Sequence, residues 1–309
     1  MKIRKTLIAA ALVTTMALPA GSAYAGAIAD SYLYISNFTL AFGDGALNGG
    51  TPINPATAFS SLEGANSGDV SASLNGAGAT TDTANINFGL SDPFAGNFAL
   101  NVSQGAGYVA GTNLTAAPTA TFAGSNATLI GNSLLGGASS LTDNQVSLQG
   151  QGTGTAQSNT GLNAEATFIL AQATSLQLSF MADAFLRTMV DDPAGSAEAA
   201  YTWTMSLVDA AGDEIASWNG GAVGVGGTVY ASAFSLNRAR SAFSGNDFVI
   251  DPAQGYFEFE TALLEAGEYT LTISQTSRAD ATYIPEPGTL ALLGLGLLGL
   301  GALRRRSIY

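Results

Sequence analysis

Hydrophobic and polar residues alternate in several stretches of the chain, which is the pattern of half-buried β-strands. In residues 31–42 one face would hold Tyr32, Tyr34, Ser36, Phe38, Leu40 and Phe42, and the other Leu33, Ile35, Asn37 and Thr39. Residues 201–207 alternate as cleanly, and a turn from Asp209 to Asp213 then leads to a returning segment, 214–218. We therefore predict a first strand at 31–42 and a hairpin at 201–218.

The rest of the pattern also predicts strands. Residues 43–161 are rich in Gly, Asn, Ser and Thr, which indicates short strands joined by polar turns, with room for mobile turns. Further strands are predicted at 167–170, 176–180 and 223–234, and a final pair at 255–264 and 269–274 around a turn. Many short alternating strands favour an all-β fold, a jelly-roll-like β-sandwich.

The first 25 residues have the three parts of a secretory signal. Basic residues at positions 2, 4 and 5 precede an uncharged stretch, and Ala23 and Ala25 then form a small-residue cleavage site. We predict a signal peptide at 1–25, cleavage by signal peptidase, and a mature chain that begins at Gly26.

An uncharged stretch of sixteen residues, 288–303, lies near the other terminus, and Arg304, Arg305 and Arg306 follow it. A helix of this length would reach about 24 Å, short of a hydrocarbon core of about 30 Å. We predict a weak transmembrane helix at 288–303. Residues 304–309 would be cytoplasmic, and everything before Pro285 would lie outside the inner membrane.

Pro285, Glu286, Pro287 and Gly288 directly precede this helix, so a Pro-Glu-Pro triplet, a Leu/Gly-rich span and an arginine cluster occur in order. Residues 285–309 resemble the C-terminal sorting signal of PEP-CTERM proteins. The resemblance implies processing by an exosortase, a membrane enzyme of Gram-negative bacteria that make exopolysaccharide. The two prolines would hold the triplet extended and accessible.

A second resemblance concerns the predicted body, residues 26–284. Ser196 to Ala200 are similar to the latter part of the EDSAxxA signature of one PEP-CTERM family, but Ala194 and Gly195 stand where its acidic pair should be. The stretch 267–273 also resembles the last strand of other PEP-CTERM ectodomains.

Composition excludes several classes of function. The body has 22 acidic residues and only four basic ones, all arginines, so we predict no nucleic-acid partner. The chain has no cysteine and no histidine, and the body has no lysine. Disulfides, histidine-dependent hydrolysis and lysine Schiff bases are therefore excluded. We predict that the protein is not an enzyme and has no cofactor.

Glu258 and Glu260 are the strongest candidates for a catalytic pair. Residues two apart on a strand share a face about 7 Å apart, a separation that glycosidases use. A solvated strand face opposite Phe257 and Phe259 explains the same alternation, and we favour that interpretation.

Carboxylates in turns are candidates for calcium: Asp191 with Asp192, Asp209 with Asp213, and Asp247 with Asp251. None of these pairs matches a known calcium loop, and turn capping explains each one, so no metal site is predicted. Tyr201, Trp203 and Trp218 could stack on sugars if exposed, but the alternation favours a core position for Trp203.

The favoured hypothesis is a non-enzymatic exported protein. It would be anchored transiently with its body in the periplasm, cut by an exosortase, and then released or attached at the cell surface among exopolysaccharide or biofilm. The alternatives are a carbohydrate- or calcium-binding adhesin, a carboxylate-dependent glycosidase, and a permanently anchored single-pass protein.

Overall fold

The computed structural model describes the body of the chain. The described residues are 26–47, 50–92, 96–112, 118, 120–134, 137–149, 152–191, 195–243 and 247–283, with backbone alone at 156–163 and 247–248. The predicted signal peptide and the predicted C-terminal helix lie outside these residues. Within them, no helix is long and apolar enough to cross a membrane.

The described residues form sixteen β-strands and one helical turn. The strands are β1 (Ala27–Phe42), β2 (Thr51–Pro52), β3 (Phe59–Leu74), β4 (Thr80–Gly89), β5 (Phe98–Gly105), β6 (Phe122–Asn132), β7 (Gly137–Leu148), β8 (Gly152–Leu170), β9 (Leu176–Val190), β10 (Gly195–Asp209), β11 (Glu214–Trp218), β12 (Val223–Val225), β13 (Gly227–Ser232), β14 (Arg238–Phe243), β15 (Asp247–Thr261) and β16 (Gly267–Tyr283); the helical turn is α1 (Pro55–Ala58).

Two antiparallel sheets of eight strands each stack face to face. Sheet A has the order β13-β15-β9-β1-β7-β6-β5, with β2 paired to β1. Sheet B has the order β12-β11-β10-β16-β8-β3-β4, with β14 paired to β10. Strand β1 packs on β16 and β10, and β7 packs on β8. The prediction of an all-β sandwich is confirmed, with more strands than the roughly eight of a jelly roll.

Several strands are longer than the sequence pattern predicts. The stretch predicted at 167–170 is the end of β8, which has 19 residues, and 269–274 is the middle of β16, which has 17. The unpredicted parts, 152–166 and 275–283, consist mainly of glycine, threonine, alanine and other small or polar residues, which give no period of large apolar residues by which a strand could be recognised. The prediction of short strands is therefore wrong for this region.

The hairpin at 201–218 is confirmed, because β10 and β11 pair through the turn that follows Asp209. The predicted final pair is wrong. Strand β15 pairs with β9 and β13 in sheet A, whereas β16 pairs with β10 and β8 in sheet B. The connection at 262–266 therefore crosses from one sheet to the other instead of forming a hairpin.

Asn37 interrupts the first strand. It has a positive φ of 53°, and the pairing of β1 with both neighbours shifts register around it. Core residues lie on both sides of the interruption: Leu33 and Ile35 before it, Phe38 and Leu40 after it. The predicted face that joined Tyr32 to Phe38 is wrong, because a β-bulge turns the second half of the strand over.

The core differs between the two long sides of the sandwich. On the aromatic side, formed by β9–β11 and β13–β15, the buried rings include Phe180, Trp203, Trp218, Phe257 and Phe259, with centroids 5.0 Å apart for Phe180 and Trp203. On the small-residue side, formed by β3–β6, the buried residues include Val70, Ala72, Ala123 and Ala127.

A few polar side chains join the sheets across the core. Gln275 of β16 donates to the backbone oxygen of Leu33 at 2.9 Å and accepts from the Ser140 hydroxyl at 2.6 Å. The Ser277 hydroxyl donates to the backbone oxygen of Ser31 at 3.0 Å. Because buried polar groups must be paired, these contacts fix the position of β16 against β1 and β7.

Candidate functional site

The last strand of the body leads directly into the C-terminal region. Strand β16 lies in the middle of sheet B, where Tyr283 pairs with Gly152 on one side and with Gly195 on the other. The Tyr283 side chain is 8% exposed. Pro285 follows two residues later, and covalent geometry keeps it within about 7 Å of the last paired residue. In the sequence only Ile284 stands between the last residue of β16 and the Pro-Glu-Pro triplet.

The first strand of the body begins at the same end of the sandwich. Ala27, the first residue of β1, is buried and pairs in sheet A with Leu148 and Val190. Leu148 ends β7 and Val190 ends β9, and the next strands, β8 and β10, begin after connections of three and four residues at Gly152 and Gly195, the two partners of Tyr283. The start of β1 and the end of β16 therefore lie side by side, in sheets that pack about 10 Å apart.

Residues 284–306, which begin directly after β16, match the family model of the PEP-CTERM protein-sorting motif. The chain carries a PEP-CTERM sorting signal. This match confirms the resemblance inferred from the triplet, the apolar span and the arginines. The PEP-CTERM motif indicates an exported protein that is sorted at a membrane, with an exosortase as its processing partner. No curated protein and no solved structure matches the chain.

All residues predicted for processing lie outside the described residues. They are Ala23 and Ala25, Pro285 to Gly288, and Arg304 to Arg306. The PEP-CTERM match includes the two C-terminal groups. The signal peptide, the helix at 288–303 and the cytoplasmic position of the arginines stay predictions.

Glu258 and Glu260 project from β15 on the outer face of sheet A, but that face is not solvated there. Glu258 is 0% exposed and Glu260 is 7% exposed. The predicted solvated strand face is therefore wrong. Glu258 accepts hydrogen bonds from the Tyr256 hydroxyl at 2.7 Å and from the Gln177 amide. Burial, and then this hydrogen bond, raise the pKa of Tyr256 to about 12.

The segment that follows β1, residues 43–47, covers the two glutamates. The backbone N–H of Gly45 donates to Glu260 at 3.1 Å, and the Ser175 hydroxyl donates to it at 2.5 Å. At Gly43 a Cβ atom would lie 1.9 Å from a Glu260 oxygen, so a larger residue there would push the carboxylate out of this position. Glu260 thus fastens this segment to sheet A directly, and Glu258 does so through Gln177, which also donates to the backbone oxygen of Ala46 at 3.1 Å. The two carboxylates do not line the cleft that a glycosidase would need.

A second buried carboxylate on the outer face of sheet A was not predicted from the sequence. Asp143 of β7 is 0% exposed and accepts hydrogen bonds from Gln145 at 3.0 Å, Gly111 at 2.9 Å and Tyr108 at 3.3 Å. Burial raises the pKa of Asp143 to about 7, although these hydrogen bonds oppose the shift. Alternation places Asp143 on a polar face, and only the packing of residues 108–112 over it causes its burial.

Arg187 of β9 lies on the same outer face, directly opposite Asp30 of β1. Both side chains are buried, at 3% and 0% exposure. Burial lowers the pKa of Arg187, and the charge of Asp30 opposes that shift. Such a pair is expected to hold its register rather than to bind an anion, because the arginine charge is already compensated.

The predicted turn carboxylates have different roles. Turn capping is confirmed for Asp209, but the turn predicted at Asp247 and Asp251 is wrong, because both residues lie within β15. Asp209 caps its own turn by accepting from the N–H groups of Ala211 and Asp213 at 2.9 and 3.0 Å. Asp251 forms ion pairs of 2.5 Å with both Arg238 and Arg240. Asp192 and the side chain of Asp247 lie outside the described residues. Among the described ones, no three acidic groups are arranged to hold a metal ion.

Tyr201, Trp203 and Trp218 are buried and contribute to the aromatic core. The core position predicted for Trp203 is confirmed, since it is 0% exposed and packs on Phe180. None of the three rings offers a surface on which a sugar could stack.

Proposed function

We propose that this protein is a non-enzymatic component of the extracellular layer, held for a time in the inner membrane by residues 288–303 and then cut by an exosortase near Pro-Glu-Pro. The observation behind the proposal is the PEP-CTERM match, which begins at the residue after β16. Because β16 is paired on both sides up to Tyr283, the chain that a processing enzyme can reach without unfolding the body begins at Ile284.

The common position of the two ends of the body supports this proposal. A signal peptide before Gly26 and a helix after Tyr283 would leave the sandwich from one end, so both can enter the same membrane while the body stays outside it. The predicted helix is too short and too rich in glycine for a comfortable permanent anchor, which favours processing over residence.

The charge of the body supports a role among polymers rather than catalysis. Each body arginine has an aspartate partner: Arg187 with Asp30, Arg238 and Arg240 with Asp251, and Arg278 with Asp280. The other carboxylates leave the surface acidic, and such a surface repels an anionic polysaccharide unless cations bridge the two. We expect a neutral exopolysaccharide to bind without added ions, and an anionic one to be released by a calcium chelator.

The sorting step can be tested in a host with and without an exosortase. We expect the mature protein from the exosortase-bearing host to begin at Gly26 and to lack residues 304–309, as read from its intact mass. A chain with Pro285 and Pro287 both changed to alanine is the control, and it should keep its tail in the membrane fraction. If 304–309 stay on the unaltered chain in the exosortase-bearing host, the protein is a permanent anchor instead.

A further inference from the structure

The two long sides of the sandwich end in different kinds of strand. On the small-residue side the outermost strands are β4 in sheet B, with ten residues, and β5 in sheet A, with eight. Within the described part of the chain, each pairs on one side only, β4 with β3 and β5 with β6. No other described strand pairs with the outer edge of either one, and the backbone N–H and C=O groups along such an edge can pair with a strand of another chain.

On the aromatic side the edges are protected. The outermost strand of sheet B there is β12, which has three residues. That of sheet A is β13, whose pairing with β15 is irregular between Val229 and Ala231. A single residue, Gly226, joins β12 to β13, so the chain itself closes this side. Short strands and bulges are the usual means by which proteins prevent pairing at an edge.

The open edges lack the charges that would prevent pairing. Strand β4 has one charged residue, Asp82, and neither β5 nor β6 has any. No proline occurs in these three strands, although proline is a common protective residue at sheet edges. This is unexpected in a body with 22 acidic residues, because it leaves two almost uncharged edge strands on a strongly acidic protein.

We propose that β4 pairs antiparallel with β4 of a second copy of this chain, across a two-fold axis, so that sheet B continues from one copy into the other. The second copy is the favoured occupant because an antiparallel pair of identical strands is self-complementary and forms a closed dimer.

The position of Asp82 disfavours registers centred close to it, and we take the register centred on Asn85, near the middle of β4. In such a dimer the two-fold axis is perpendicular to the sheet, and the outer faces of the two β4 strands lie on the same side of it. Residues of one face therefore lie opposite residues of the same face, and the residue at the axis lies opposite its own copy. When Asn85 faces itself, Asp82 lies opposite Phe88, and the two Asp82 carboxylates are about 20 Å apart at ~3.3 Å per residue. That separation exceeds the screening length of about 8 Å at physiological ionic strength. A register centred nearer Asp82 would bring the two charges together.

The absence of cysteine from the chain allows a direct test by disulfide cross-linking of the full chain in intact cells, with diamide as oxidant. In the proposed register Asn85→Cys lies about 4.5–5.5 Å from its copy, which is within disulfide range. Thr83→Cys lies about 13 Å from its copy and cannot react with it, but it lies opposite Asn87→Cys. We expect cross-linked dimers from N85C alone. The T83C and N87C variants should give dimers when they are mixed, but neither should give dimers by itself.

Val225→Cys on the exposed β12 is the matched control for random collisions. A dimer yield from N85C about tenfold above that of V225C supports the pairing, whereas equal yields overturn it. If T83C alone or N87C alone gives the highest dimer yield, the proposed register is wrong. Asn85→Lys should abolish the dimer in sedimentation of the purified protein, while Val225→Lys should leave it intact. The result is independent of sorting, since the cross-links are expected with or without an exosortase.

Discussion

The aromatic side and the small-residue side of the sandwich are built in opposite ways from one chain. On the aromatic side, Phe257 stacks on Phe180 with centroids 5.2 Å apart, and Trp218 stacks on Phe259 at 5.4 Å. On the small-residue side the facing positions are mostly alanine, valine and leucine. Large rings provide more buried area per residue and additional pair energy, so we expect most of the stability to reside on the aromatic side.

The two sides also differ in whether their edge strands are protected from pairing. The side with the larger side chains is closed at its edge by Gly226, whereas the side with small residues ends in two long unprotected strands. One side therefore has the features that stabilise a monomer, and the other has the features that allow association. The strands with large aromatic residues thus form the closed side, and the strands with small residues form the side that is open to association.

The largest expected effect comes from the same substitution made on each side. Phe257→Ala should lower the free energy of unfolding by about 3–5 kcal/mol, because a fully buried ring with several ring neighbours leaves a cavity. Phe88→Ala on β4, at 7% exposure, should cost at least ~1 kcal/mol less, since an edge strand can relax around the gap. Urea unfolding of both variants measures the difference, and equal losses would contradict the proposed asymmetry.

A smaller effect should come from the closed edge. Gly226 has a φ of 54°, and a Cβ atom there would lie 1.8 Å from the backbone oxygen of Ile215. We expect Gly226→Ala to cost about 2–4 kcal/mol, because backbone must move as well as adopt a strained conformation. Gly212 has a φ of 86° but open space around it, so Gly212→Ala is the control at about 1–2 kcal/mol. Thermal unfolding that ranks the two equally would show that the crossing at Gly226 is not tightly packed.

The same asymmetry explains which elements could be predicted from the sequence. The hairpin of β10 and β11 was predictable because large apolar residues alternate with threonine and serine, and a turn with Asp and Gly separates the strands. Strands β3, β4 and β8 have few large apolar residues, so local pattern does not show their length. Strands β3 and β4 form a local hairpin, but β8 pairs with β3 and β16, which are both distant from it in sequence.

Errors in the predicted faces and sites have equally specific causes. The bulge at Asn37 inverts half of β1, and an asparagine in a strand does not by itself signal a positive φ. The burial of Glu258 and Glu260 depends on residues 43–47, more than 200 positions earlier in the chain. Alternation distinguishes two faces of a strand, but it does not show whether a third layer covers one of them. The C-terminal sorting signal was recognisable because its motif is contiguous.

Two segments of the chain cover buried carboxylates on the outer face of sheet A. Glu258 and Glu260, on the aromatic side, lie under residues 43–47, and Asp143 of β7 lies under residues 108–112. The carboxyl of Asp143 is held by three hydrogen bonds, yet burial dominates and raises its pKa to about 7. The packing of residues 108–112 over Asp143 should therefore depend on pH.

A further expected effect is the pH dependence that Asp143 causes. The unfolded chain binds this proton with an ordinary pKa of 3.8, whereas the folded protein keeps it until about pH 7. Between these values only the unfolded state loses the proton, so the free energy of unfolding should fall as the pH rises, and it should level off above about pH 7. Asp143→Asn should remove this part of the slope, while Asp92→Asn, on an exposed connection, should leave it unchanged. Urea unfolding at intervals from about pH 4 to about pH 8 measures it; a slope that persists in D143N would assign the titration to another group.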